Sequence, residues 1–513
     1  MTQGVATAGR REWLGLAVLV LPVLLISITV TVLYFALPFL SADLAPTGSQ
    51  LLWIVDIYAF LLAGLLIPMG TLGDRIGRRK LLLVGATAFG ITSVVATYAP
   101  NAELLIAARA LQGAAAASLM PPTLALIRNM FHDAQQRRMA VAIWAASFAG
   151  GSVLGPIVGG WLLERFWWGS VFMINVPVMV LLLVLGPLLL PEYRDPNPGR
   201  FDLSSAVLSL AAVLPTVYGI KQFAADDFSP QALLSVVVGL AFGVVFLRRQ
   251  RALPDPMLDL RLFSSRGFSM SLITSTLAIF ALVGLFYFIA QYLQMVLGLR
   301  PFVAGLLTLP AAGTALVGSM LAAVVARWVR PGYIIGAGMM LAAGGFLVMS
   351  WIEVDSERWL LIAGLLLLGS GIGAVQAVAS DMIVAVAPPE RAGSASAVME
   401  ASTELGGALG VAILGSIGLA VYSEEFAEAS PAGLTGNDAL AAHETLGGAI
   451  GVAERLSEQA GGALLDVARA AFTSGMQVAA ILGAVIMALT AVLATILLRS
   501  VRVDTSTVDS HTE

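Results

Sequence analysis

Apolar residues fill this chain in long runs, and short polar breaks between them hold most of the charge. One helix needs about 20 mostly apolar residues to cross a bilayer. Fourteen suitable windows can be laid along the 513 residues, at 14–37, 51–72, 81–99, 104–127, 139–162, 169–190, 203–222, 231–247, 267–290, 302–326, 332–351, 359–386, 394–420 and 474–498. The pattern predicts an all-α, polytopic membrane protein with 14 transmembrane helices. The first window follows Arg10 and Arg11, but thirteen more come after it and no small-residue cleavage site is evident, so it reads as a retained span.

Composition supports the same solvent. Only 12% of residues are charged and 58% are hydrophobic, whereas a soluble surface needs about 25% charged residues. The absence of Cys excludes disulfide and thiol chemistry, and a net charge of -4 argues against a nucleic-acid partner. His132, His443 and His511 all fall outside the windows, and neither an H-E-x-x-H pair nor a P-loop is present. That leaves no metal site, no cofactor and no case for an enzyme or an ATP-driven pump. Lys80 and Lys221 are the only lysines.

Cytoplasmic loops collect Lys and Arg. With both termini cytoplasmic, 21 of the 28 positive residues lie inside, six (Arg165, Lys221, Arg300, Arg358, Arg455 and Arg469) lie outside, and Arg109 falls within a span. An internal repeat refines the plan. At an offset of 255, Gly151, Gly155 and Gly160 in span 5 align with Gly406, Gly410 and Gly415 in span 13, and at 252 Arg75 and Arg78 align with Arg327 and Arg330. Two six-helix halves with a two-helix insert (6+2+6) are expected: a cytoplasmic N-terminus at 1–13, halves at 14–190 and 267–498, the insert with its linkers at 191–266, and a cytoplasmic tail at 499–513. The 421–473 stretch, helically patterned from Thr445 to Phe472, is expected to form an outer loop with an amphipathic hairpin. Repeats of this kind place a substrate site between the halves.

Three motifs carry a resemblance. After span 2 comes Gly70-Thr-Leu-Gly-Asp74-Arg75-Ile-Gly77-Arg78-Arg79-Lys80; span 4 carries Arg109-Ala-Leu-Gln112-Gly113; span 5 carries Gly151-x-x-x-Gly155-Pro156-x-x-Gly159-Gly160. Glycines at that spacing let helix backbones touch, and the proline removes a backbone hydrogen bond. Together these resemble the major facilitator superfamily and the antiporter motif of its drug exporters. With Leu52-Trp53-Ile-Val-Asp56-Ile-Tyr58, Glu400-Ala-Ser-Thr-Glu404 and Asp255-Pro-Met-Leu-Asp259, the chain is similar to the 14-helix EmrB/QacA family of drug:proton antiporters, of the QacA and SmvA type. The resemblance implies a major facilitator fold in the bacterial inner membrane. It also implies that Asp74 latches onto the start of span 13, after Pro388-Pro389-Glu390-Arg391. One departure stands out: Thr29 and Thr314 occupy positions where relatives carry Asp.

A proton-coupled exporter needs an ionisable group within the membrane, and intramembrane charges are functional by default. Glu400 and Glu404, four residues apart, share one helical face and are the first choice for binding proton or cation; Asp56, Arg109 and Asp381 complete the set. Trp53 and Tyr58 are expected to supply π faces to the substrate. The expected function is proton-coupled efflux of lipophilic cationic drugs or antiseptics by alternating access, powered by the proton gradient. The alternative is export of a neutral or anionic natural product. The partners are then the bilayer, the drug and protons, with the protein acting as a monomer.

Overall fold

The computed structural model describes residues 8–194, 202–225, 229–254, 256–386, 392–430, 434 and 436–499. Among these, fourteen helices are long and apolar enough to cross a membrane: Arg10–Leu44, Gly48–Ile76, Arg78–Thr97, Ala102–Met130, Ala134–Arg165, Ser170–Leu189, Leu203–Phe223, Pro230–Ala252, Arg266–Val296, Pro301–Val325, Pro331–Met349, Arg358–Ile383, Ala395–Ala429 and Glu458–Leu498. They are spans 1 to 14. The face bearing the N-terminus is termed proximal, and the face bearing the 44–48 connection distal.

Three expectations from hydropathy change. Span 4 is two helices, Ala102–Ala117 and Met120–Met130, because Pro121 and Pro122 cannot donate the backbone bonds that would continue the first. Span 13 contains a π-helical turn at Val411–Gly415, and a second such turn, Tyr292–Val296, ends span 9. The segment 421–473 is more helical than expected: span 13 runs on to Ala429, span 14 starts at Glu458, Gly436–Glu444 is a short helix, and Leu446–Ala453 folds back on the start of span 14 where the hairpin was expected. The apolar-window reading stops at the first acids, but the helix continues past them where its charged face meets water.

The halves pack by a repeated rule. Span 1 packs on span 5, and span 9 on span 13; between halves, span 2 meets span 13 and span 5 meets span 10. Glycines make these approaches possible. A Cβ on Gly151 would lie 2.5 Å from the Leu24 carbonyl oxygen, one on Gly155 would collide with Thr31, and one on Gly159 with Val32. In the second half, a Cβ on Gly406 would lie 2.7 Å from the Thr276 carbonyl oxygen, and one on Gly410 would collide with that of Phe280. Small residues at helix crossings let dispersion act between backbones where lipid offers no hydrophobic drive. Gly155→Leu is therefore expected to destabilise the fold by about 1 to 3 kcal/mol, read as a lower midpoint in thermal unfolding in detergent. Gly150→Leu, at a glycine with open space around it, is the control, and equal midpoints for the two would refute the packing role.

The insert is not peripheral. Span 7 packs on span 2 and on span 13 at and beyond its π-helical turn, while span 8 packs on span 7. Phe60 of span 2, Val217 of span 7, and Ala408 and Ala412 of span 13 form one buried cluster. Span 7 thus joins both halves.

Candidate substrate cavity

A cavity of about 340 Å³ lies between the halves, walled by spans 1, 2, 4, 5, 9, 10, 12 and 13. Most of its wall is aliphatic or aromatic, with Ile26, Val30, Phe148, Leu282 and Phe286 among the lining residues. Its polar groups include Tyr34, Asp56, Tyr58, Arg109, Thr308 and Glu404. An apolar chamber with few polar groups is the usual form of a small-molecule site.

The polar ties between the halves lie at one end of this chamber, while at the other Ile67 of span 2 packs on an apolar cluster that includes Phe268, Ile383 and Val398. Gln294 donates to the Phe35 carbonyl at 3.2 Å, the Phe302 amide to Glu164 at 3.2 Å, and the Gly48 amide to Glu444 at 2.8 Å. Among the described residues these are the hydrogen bonds between halves, and all lie toward the distal face. Tyr34 and Phe286, edge to face with centroids 5.5 Å apart, meet across the halves on the same side.

The sequence candidates separate on this geometry. Glu404 is half-buried on the cavity wall, and no described residue donates to its carboxylate. Glu400, one turn away, is also half-buried but does not line the cavity. Asp381 is exposed near the proximal end of span 12, away from the cavity. Asp56 stands in the wall almost fully covered, its Oδ2 2.7 Å from Lys221 Nζ. The orientation reading counted Lys221 among the outer-side charges; its side chain lies near the distal end of span 7 but is 2% exposed and turned into the bundle. Trp53 does not line the cavity; its ring lies 3.8 Å from Lys221 Nζ.

Arg109 has no carboxylate partner among the described residues. Its Nε donates to the Ile54 carbonyl at 3.2 Å, its Nη1 to Gln112 Oε1 at 2.7 Å, and its guanidinium stacks 4.3 Å from the centre of the Tyr58 ring. The close approach comes from Gly113, where a Cβ would collide with the Tyr58 carbonyl. Beyond Gln112 a buried polar chain continues: Gln112 Nε2 donates to Ser93 Oγ at 2.8 Å, Asn175 Nδ2 reaches the same oxygen at 3.4 Å, and Thr29 Oγ1 donates to Asn175 Oδ1 at 2.9 Å. Thr29 therefore ends a network joining spans 1, 6, 3 and 4, and is not on the cavity wall. Thr314, also off the wall, hydrogen-bonds to its own helix at the Pro310 carbonyl.

The loop after span 2 is docked on its own half and on the start of the linker that follows span 6. Asp74 pairs with Arg78 at 2.8 Å. Gly77, with φ of 109°, turns the chain where a side chain would meet Glu192, 2.6 Å from the Cβ position. The Arg78 guanidinium stacks 4.8 Å from the Tyr193 ring centre, while Arg75 is exposed. Residues 388–391, the expected partner of Asp74, lie outside the described residues, as does Asp255. In span 5, Pro156 lines the cavity, and Gly160 packs on the start of span 10, where its Cβ would lie 2.5 Å from Phe302 Cα.

Comparison with known proteins agrees with this architecture. The family model for the Major Facilitator Superfamily matches residues 19–411. The chain is 47% identical over 477 residues to the multidrug efflux pump LfrA of Mycolicibacterium smegmatis, covering 93% of this chain and 94% of that protein. It is 36% identical over 465 residues to the methyl viologen resistance protein SmvA of Salmonella typhimurium, covering 90% and 93%. The crystal structure of a bacterial homologue of the human lysosomal transporter Spinster, inward-facing and unoccupied, superposes with a TM-score of 0.66 at 17% identity, covering 96% of this chain and 98% of that one. At that identity the likeness concerns the fold.

Proposed function

This chain belongs to the major facilitator superfamily, and from that premise we propose that it exports lipophilic cations, drugs or antiseptics among them, across the bacterial inner membrane in exchange for protons. The observation that carries the reading is Glu404: a carboxylate without a partner among the described residues, on the wall of an otherwise largely apolar chamber between two halves. An apolar wall selects for lipophilicity, and a carboxylate that can take a cation or a proton, but not both, makes the two compete. Competition at one group is the minimum an antiporter requires. The distal ties make this a state closed at the distal face, so that loading from the proximal, cytoplasmic side and release at the other follow on rearrangement. The names of LfrA and SmvA, a multidrug efflux pump and a methyl viologen resistance protein, support the substrate class.

The reading predicts that proteoliposomes under an imposed pH gradient move ethidium against its concentration gradient, and stop when the gradient is collapsed. A neutral drug of similar size should move more slowly. Transport indifferent to the pH gradient would refute proton coupling, and faster transport of the neutral drug would refute the cation preference.

A further inference from the structure

The buried pair of Asp56 and Lys221 is not needed for the function proposed above, and Lys221 comes from the two-helix insert, not from either half. Three observations bear on it. First, the Asp56 side chain has no exposed surface, and no described donor other than Lys221 reaches its oxygens. A carboxylate in such a place ordinarily gathers several hydrogen bonds, and this one has a single partner 2.7 Å away. Second, Asp56 belongs to the cavity wall, alongside Tyr58, Arg109 and Glu404. Third, Lys221 Nζ sits 3.8 Å from the centre of the Trp53 ring, so the ammonium rests between a carboxylate and a π face, one turn apart on span 2. An anion with an aromatic face is the pair of groups that recognises a lipophilic organic cation. Lys221 occupies a cation site of that chemistry.

We propose that Lys221 is a built-in competitor for the exported cation: it fills a second cation site, made by Asp56 and Trp53, until an organic cation in the cavity displaces it. The inference rests on the cation reading of the cavity. It gives the insert a role in specificity, since a substrate must outcompete a tethered ammonium to reach Asp56, whereas a neutral molecule gains nothing by doing so. Because Lys221 is held by a helix that packs on both halves, its displacement also loosens the ion pair that, among the described residues, joins the insert to the first half within the spans.

The test is equilibrium binding of tetraphenylphosphonium to the purified full-length protein in detergent. Lys221→Met removes the competitor, and the Kd is expected to fall on the order of tenfold, because the occupied fraction of the site no longer weakens apparent affinity. Adding Asp56→Asn to Lys221→Met should abolish that gain. An unchanged Kd in Lys221→Met, with a lowered thermal midpoint, would show the pair to be structural and overturn the inference. A wild-type measurement guards against a variant that does not fold. The chain has only Lys80 and Lys221, so 15N-lysine NMR gives two side-chain signals, assigned with Lys80→Arg. Tetraphenylphosphonium is expected to shift the Lys221 signal and not that of Lys80; binding without such a shift overturns the inference while leaving the cation reading intact. Wild-type protein that binds no tetraphenylphosphonium removes the cation reading itself, and the inference with it.

Discussion

Glu404→Gln should reduce gradient-driven cation export to the level of empty liposomes while leaving the protein folded. The substitution keeps the side chain's volume and removes only its capacity to ionise. Glu404 is half-buried, faces the cavity and has no described hydrogen-bond partner, so no network collapses with it and the thermal midpoint should stay within a few degrees of the wild type. Glu400→Gln, a turn away and off the cavity wall, is expected to have a much smaller effect on turnover. Side-by-side efflux of ethidium by the two variants separates the positions. Full coupled export by Glu404→Gln would remove the acid on which the proposed exchange depends.

Arg109→Gln is expected to produce the opposite imbalance: the organic cation binds as well as before or better, yet turnover collapses. Four charged groups stand at or beside the cavity, Asp56 and Glu404 against Arg109 and Lys221, and their formal charges cancel. Gaining a proton at Glu404, or gaining a cation with Glu404 ionised, leaves the same total of one positive charge. The two loaded states are then electrostatically alike, which is what an exchanger needs to move either one. Without Arg109 the chamber holding a cation is neutral and becomes a trap. A charged side chain within a membrane is costly, and among the described residues this one is compensated by a carbonyl, Gln112 and the faces of Tyr58 and Phe172, with no carboxylate. Losing it should therefore cost little stability. Equilibrium binding and single-turnover efflux, measured on the same preparation, check the split; weakened binding together with a lowered midpoint would make Arg109 a packing residue.

Hydropathy was sufficient to place all fourteen spans, because lipid demands long apolar runs and the polar breaks are sharp. Acids within those runs announced Asp56 and Glu404 for the same reason. What one-dimensional reading could not supply was pairing. Lys221 lies one residue from the end of its apolar window and reads as an interfacial cation, whereas its partner is 165 positions earlier on another helix. The chain from Thr29 through Asn175, Ser93 and Gln112 is equally silent, since single neutral polar residues scarcely alter a hydropathy average and only folding aligns them. Helix ends were misjudged at 421–473 for a third reason: acids on the water-facing side of a helix do not end it. Asp381 illustrates the converse, an acid inside an apolar window that the helix turns outward.

The position of span 7 has a further consequence. A bundle of two related halves has two equivalent clefts along its sides, one bordered by spans 2 and 13 and the other by spans 5 and 10. Here the first is covered by span 7, which packs on both of its borders, while the second has no such cover. The twofold equivalence is thereby broken: among the described residues, span 7 lies over one cleft and no helix packs in the same way over the other. Movement of one half against the other would have to carry span 7 along or slide past it on that flank, whereas the flank of spans 5 and 10 has no such helix to displace among the described residues.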